Sequence, residues 1–290
     1  MFLYLNGEYI HQKDAFISPF DHGYLYGIGA FETIRIYQGH PFLLDDHLER
    51  LNESLKHLNI DCSITIDFAL RVIQNLLQLN DLQDAYLRIN VSAGEADLGL
   101  TVRPYEEPTI IFFMKDINIP ENQTKEALFL NLRRNLPEGL YRIKSHHFLN
   151  NMLGKREIGA NPRVEGIFLT KDGFIAEGIV SNVFWVKDQI VFTPAVETGI
   201  LNGITRQFII KVLKSLGVTY YEGWYKPNEL LMSEEVFITN SLQEIVPITK
   251  MGERTFLGLS GQITQKLKSI YVENRECLYS KHQLKVGDSK

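Results

Sequence analysis

The feature that most constrains this chain is a change of period part-way along it. Early on, apolar residues recur at helical spacing. Leu48, Leu51, Leu55 and Leu58 predict a helix over 45–59, and Phe68, Val72, Leu76 and Leu79 predict a second over 65–79. Each stripe needs an apolar partner, and the flanking segments supply strands. Two alternating runs around Asn6-Gly7 predict a hairpin, because that pair suits a tight turn with positive φ. A second hairpin is expected at Phe31 to Tyr37, Gln38-Gly39 and Pro41 to Leu44, with further strands at Ala85 to Val91 and Thr109 to Met114. The aromatic, glycine-rich stretch 18–29 is too irregular for helix or strand and reads as a shaped loop.

Beyond the polar, aperiodic stretch 116–126 the chain becomes strand-rich. Short runs at Val164 to Thr170, Phe174 to Ala176, Ile179 to Val186 and Ile190 to Thr193 are separated by turn residues and predict an antiparallel meander. A helix is expected over 205–216, with Thr205 as N-cap and Gly217 closing it, then a strand from Glu235 to Thr239 and a last helix near 260–277. The expected organisation is α+β. A small α/β domain covers 1–115, a linker 116–126 and a larger domain 127–290, whose tail over 280–290 is expected to fray.

Of the 290 residues 44% are hydrophobic and 22% charged, enough apolar content for a core in each domain. The net charge of −5 gives no reason to expect nucleic acid or an anionic membrane as partner, so any anionic ligand must be held by local cations or backbone N–H groups. No run approaches the ~20 apolar residues of a membrane span. The N-terminus has neither the basic nor the apolar region of a signal peptide, so a cytoplasmic location is expected. Cys62 and Cys277 fit no metal-ligand spacing and no disulfide framework, and no metal is expected.

Four places could carry chemistry. The segment 198–206 is punctuated by Gly199 and Gly203 and runs into a helix, whose free N–H groups and positive dipole end suit a phosphate; the alternative is a plain turn with a cap. Arg50 lies off its helix's leucine stripe and is a second anion candidate, or an exposed partner of Asp46. Lys144, among Arg142, His146 and His147, could be a nucleophile toward an aldehyde if its amine is held neutral; Lys155 and Lys171 are its rivals. Glu177, between strands that look half-buried, needs a cationic partner such as a protonated pyridine nitrogen, unless it is an exposed turn residue.

Each signal alone is weak, but their order is not. The chain carries Phe31-Glu32-Thr33, Asp46-His47-Leu48-Glu49-Arg50-Leu51, Ile143-Lys144-Ser145, Ala176-Glu177-Gly178 with Ser181-Asn182, the 199–206 segment and Thr239-Asn240-Ser241. In this it resembles the fold-type IV pyridoxal-phosphate enzymes, the branched-chain aminotransferase-like family, over most of its length. That resemblance implies a small α/β domain followed by a pseudo-barrel domain, a pyridoxal 5′-phosphate cofactor and a homodimer. It also implies roles. Lys144 matches the Schiff-base lysine and general acid/base. Arg50, Ile204, Thr205 and Ser241 match the phosphate ligands, with Gly203 in the same turn. Glu177 matches the carboxylate on the ring nitrogen and Leu201 the residue packed on the ring, and Asn182 follows Glu177 at the family spacing. Asn240 departs from the Ser or Thr common there in the aminotransferases.

Among the branches, D-amino-acid aminotransferases use a tyrosine and an Arg-x-His pair. Here Phe31 replaces the tyrosine and the strand around Arg88 has no such pair. The branched-chain branch is harder to exclude, because Arg88 could serve a carboxylate. The pattern is most similar to the aminodeoxychorismate lyases, through Ser18-Pro19-Phe20-Asp21-His22-Gly23, Lys144-Ser145-His146-His147, residues 162–169 and Glu244-Ile245-Val246-Pro247. What is then expected is elimination from 4-amino-4-deoxychorismate, giving 4-aminobenzoate and pyruvate for folate synthesis. Phe31, Arg88, His22, His146 and His147 are the candidates for meeting the anionic substrate. A transaminase of the same fold is the alternative, and a non-catalytic cofactor-binding or structural protein a remote one.

Overall fold

The computed structural model describes residues 1–120 and 122–285, and the chain divides into two units. The first unit is made of Met1–Asn118, Ile143–His147 and Arg275–Gln283; the second of Ile119–Arg142, Phe148–Asn274 and the chain from Leu284.

In the first unit, β1 (Phe2–Leu5), β2 (Glu8–His11), β3 (Gly29–Tyr37), β4 (His40–Pro41), β5 (Ala85–Ser92) and β6 (Thr109–Asp116) form one sheet in the order β2-β1-β6-β5-β3-β4. The expected Asn6-Gly7 turn joins β1 to β2, with both residues at positive φ. The second hairpin is cut short, because Leu43 turns left-handed and caps α2 (Leu44–His57), leaving two residues for β4. In α2, Leu48, Leu51 and Leu55 are buried as expected. In α3 (Ile66–Asn80), capped by the Thr65 hydroxyl, the buried stripe is Ala69, Val72, Ile73, Leu76 and Leu77; Leu79 is exposed instead. These stripes pack with Ile34, Ile36, Leu87, Ile89, Phe112 and Met114 of the sheet, each fully buried side chain contributing about 1.5–3 kcal/mol. The period-two alternation of β5 sends its even-numbered residues to the opposite face.

The stretch read as a shaped loop contains a short helix, α1 (His22–Tyr26). Asp21 caps it by accepting from Gly23 N–H, and Gly27 ends it at φ 73°. The tail is not frayed throughout. Lys281 Nζ donates to Asp46 at 2.6 Å and Lys281–Gln283 forms a 3-10 turn, while the tail beyond 285 lies outside the described residues, as does Glu121 in the expected linker.

The second unit holds a curled half-barrel sheet in place of a simple meander. Its strands are β7 (Lys125–Arg133), β8 (Val164–Leu169), β9 (Ile175–Gly178), β10 (Asn182–Lys187), β11 (Ile190–Pro194), β12 (Tyr220–Gly223), β13 (Glu235–Asn240), β14 (Glu244–Met251) and β15 (Arg254–Thr255). The order is β12-β11-β10-β13-β14-β7-β8-β9, with β15 on β14, and β7 runs parallel to both its neighbours. Beyond the expected elements the unit contains β7, β12 and β14, and also α4 (Leu149–Ile158) and the short α6 (Pro227–Leu231). Between β11 and β12 lies α5 (Ile204–Ser215), ended by Gly217 at φ 66° as expected; α7 (Gln262–Asn274) closes the unit. Thr205 is not the N-cap of α5: Gly203 is, and no side chain caps the helix.

Candidate active site

Lys144 belongs to the first unit although it lies far along the chain. The segment Ile143–His147 runs beside β3: Phe31 N–H donates to Lys144 O, His146 N–H donates to Gly29 O, and Ala30 pairs with Ser145. This strand-like pairing puts Lys144 and His146 on the sheet face that also carries Phe31, Arg88 and Asn90. Lys144 Nζ lies 4.5 Å from the Phe31 ring centroid, and the Arg88 guanidinium lies 3.6 Å from it. The Phe31 and His146 rings stack at 6.4 Å. Four of the predicted residues, scattered over more than a hundred positions, therefore share one face. Gly29 is required there, since a Cβ would collide with the His146 ring.

His22, expected to meet substrate, does not reach this face. It is 0% exposed, with Nδ1 2.9 Å from Tyr105 Oη and Nε2 3.0 Å from Asp97 O. Both ring nitrogens are spent on holding the loop between β5 and β6. His147 is exposed and packs on Gly27, with Nε2 3.3 Å from Tyr26 O.

Arg50 does not pair with Asp46. Its Nε and Nη2 donate to the two oxygens of Glu32, each at 2.7 Å, and His47 Nδ1 sits 2.6 Å from Glu32 as well. Burial pushes the Glu32 carboxyl up, but Arg50 and His47 together outweigh it and hold the pKa at about 2. Burial also keeps His47 below the usual histidine value. The i, i+3 spacing of His47 and Arg50 is the signal that could have found this group.

In the second unit, Glu177 is inside β9 and 4% exposed, not in a turn. Its cationic partners are Arg134, whose Nε donates at 2.8 Å, and Arg142, whose Nε is 3.7 Å away. Burial first, and then the neighbouring Arg134 charge, bring the Arg142 pKa down to about 10. The other Glu177 oxygen accepts from Leu201 N–H at 2.9 Å, and Leu201 O accepts from Asn182 Nδ2 at 2.8 Å. Leu201 is thus clamped from both sides. A Cβ on Gly203 would strike Asn182 Oδ1, so glycine is needed at the head of α5.

Those residues suit a phosphate. The Ile204 and Thr205 N–H groups open an uncapped helix, and the buried Thr205 hydroxyl has no partner among the described residues. The Thr239 hydroxyl, opposite Asn182 in the sheet, is buried and unpaired too. Ser241 follows in a turn held by Asn240 Oδ1, which accepts from Leu242 and Gln243 N–H. Within the second unit, these hydroxyls and N–H groups and the buried Glu177 carboxylate fit the phosphate and the ring nitrogen of pyridoxal 5′-phosphate. Arg134, Glu32 and Asn90 were not singled out as site residues from the sequence.

The model of the amino-transferase class IV family matches residues 29–251. An aminodeoxychorismate lyase of Bacillus subtilis is 50% identical over 273 residues, 93% of each chain. A D-alanine aminotransferase of Staphylococcus epidermidis is 30% identical, over 92% of this chain and 95% of its own. The solved branched-chain amino acid aminotransferase of Escherichia coli superposes with a TM-score of 0.84 at 28% identity, covering 94% of each chain.

Proposed function

Because the chain belongs to the amino-transferase class IV family, we propose that it is a pyridoxal 5′-phosphate-dependent carbon–oxygen lyase that converts 4-amino-4-deoxychorismate to 4-aminobenzoate and pyruvate, a step of folate synthesis. The observation that carries this reading is the identity with the Bacillus subtilis lyase, one residue in two along nearly the whole chain. The aromatic seat of Lys144 supports it.

When bound, the cofactor supplies an electron sink for the pair left at the amine-bearing carbon of the substrate. The Lys144 amine takes the proton from that carbon. The ether C–O bond then breaks, the ring becomes aromatic, and the departing enolpyruvyl oxygen leaves with its electron pair. Return of one proton converts that group to pyruvate, so no amino acceptor, water or oxidant is consumed. Arg50, the Ile204 and Thr205 donors and Ser241 are assigned to the phosphate, Glu177 to the ring nitrogen and Leu201 to the ring face. Asn182 and Gly203 keep that loop in place. Arg88, Phe31 and His146 are assigned to the substrate.

The reading extends to a homodimer. Phe16, Phe20 and Tyr24, and on an adjoining loop Leu98, Leu100 and Val102, are exposed apolar side chains of the first unit that a second copy would cover. Light scattering is expected to give twice 33.4 kDa; a monomer would sink this part. A cytoplasmic location goes with a folate-pathway substrate; among the described residues no helix is long and apolar enough to cross a membrane.

The test is an assay on purified, cofactor-loaded protein, with aminodeoxychorismate made in situ and both products followed. Equal release of pyruvate and 4-aminobenzoate, lost in Lys144→Ala, supports the reading. No release from loaded protein overturns it and favours transfer from branched-chain amino acids to 2-oxoglutarate.

A further inference from the structure

The sheet face of the first unit that carries Phe31 and Lys144 also carries an arginine with no counter-ion among the described residues. Arg88 is half-buried, and among the described residues no carboxylate lies within ion-pair distance of it. Its donors go to neutral groups. Nε and Nη2 reach Asn90 Oδ1 at 3.3 and 3.1 Å, and Tyr86 supplies a further bond. Burial lowers its pKa, yet a guanidinium keeps its charge in any ordinary protein setting. Placing such a charge against Phe31 without a carboxylate is costly unless something else supplies the anion.

The same Asn90 oxygen lies 3.0 Å from His146 Nε2. Arginine can only donate, so the shared amide atom must be the oxygen. His146 must therefore donate from Nε2, and its neutral ring leaves Nδ1 without a proton. A second proton is opposed by burial first and then by the Arg88 charge, which outweigh the pull of Asp21, with His147 a smaller opposing charge, and the pKa falls to about 4. Lys144, across Phe31, is a further amine on this face. Neither side chain bonded to Asn90 is an anion.

We propose that Asn90 is a positioning residue for carboxylate recognition. By accepting from Arg88 and His146 together, it aims the guanidinium, fixes the histidine tautomer and leaves one positive charge uncompensated for a substrate carboxylate. Aspartate would occupy the same volume and accept the same bonds, but it would pair with Arg88 and cancel that charge. The proposal rests on reading this face as the one that meets substrate, and it deepens that reading by naming the ligand class and the residue that enforces it.

The experiment compares wild type with Asn90→Asp and Arg88→Gln as cofactor-loaded proteins. Two quantities are read without turnover: the His146 titration by NMR, assigned with His146→Gln, and the affinities for 4-aminobenzoate and for aniline. In Asn90→Asp, His146 is expected to titrate above about 6. Its affinity for 4-aminobenzoate should fall about tenfold or more while that for aniline holds. Arg88→Gln should show the same loss of 4-aminobenzoate and also raise the His146 titration. Unchanged 4-aminobenzoate affinity in Asn90→Asp overturns the proposal, as does an unchanged His146 titration. Should Asn90→Asp fail to fold, the Arg88→Gln affinity decides in the same way. A protein that makes no pyruvate can still pass or fail these tests, so the two readings fail separately.

Discussion

Both oxygens of Glu32 accept from the single guanidinium of Arg50, each at 2.7 Å, while His47 closes on the same carboxylate from the helix. Arg50 is thereby held in one orientation before any ligand arrives. Removing the carboxylate charge takes away the anion that Arg50 and His47 share, and Glu32→Gln is expected to cost about 3 kcal/mol at pH 7. Thermal unfolding at constant pH checks this, and a change within error would rule it out.

The acid limb of the stability curve should carry the same signature. Glu32 has a folded pKa of about 2 against an ordinary 4.5, so its contribution is full above 4.5 and disappears as pH falls toward 2. His47, lowered from 6.5 by burial, also favours the folded state above its ordinary value and loses that contribution on acidification. Melting temperatures between pH 7 and pH 2.5 should therefore fall in wild type, with a shallower fall below 4.5 in Glu32→Gln. Parallel curves would show that Glu32 is not the group responsible.

Gly203→Ala puts a methyl group onto Asn182 Oδ1 and should push that amide off Leu201 O. The expected result is a protein destabilised by about 1–3 kcal/mol with cofactor affinity weakened about tenfold or more. Equilibrium dialysis of pyridoxal phosphate measures the second effect. Wild-type affinity in a folded variant would mean that the loop tolerates the methyl.

His22→Phe strips the partners from Tyr105 Oη and Asp97 O. The loop between β5 and β6 should loosen, at about 1–3 kcal/mol for the unmade bonds. A glutamate-specific protease reads this directly, because Glu106 lies exposed on that loop. Cleavage there should accelerate several-fold, whereas equal rates would show that His22 does not hold the loop.

Elements with one strong period were legible in the sequence: the Asn6-Gly7 hairpin, α2, α3 and the strands β5 and β6 all fall close to where periodicity puts them. β7 was not, because a strand running parallel to both its neighbours has no hairpin turn beside it to mark its end, and in β14 the internal Pro247 speaks against a strand. The short helix at His22 was hidden by aromatic residues, although the Asp21 cap and Gly27 stop were both in plain view. At the site, the sequence could name Lys144, Arg50 and Glu177 but not their company. Arg134 reaches Glu177 across 43 residues and Glu32 reaches Arg50 across 18, and such pairings follow from the sheet register, not from local spacing.

The docking of Ile143–His147 along β3 has a consequence for anyone who would treat the two units as separable modules. The first unit is assembled from three pieces of chain, the last of them anchored by Lys281 on Asp46. Cutting the gene after Asn118 would deliver a fragment with the outer rim of β3 from Gly29 to Phe31 bare and ready to zip onto any passing strand. Homologous shuffling of this chain therefore has no clean crossover point in the linker; a working graft must carry the lysine segment with the N-terminal half or rebuild that rim.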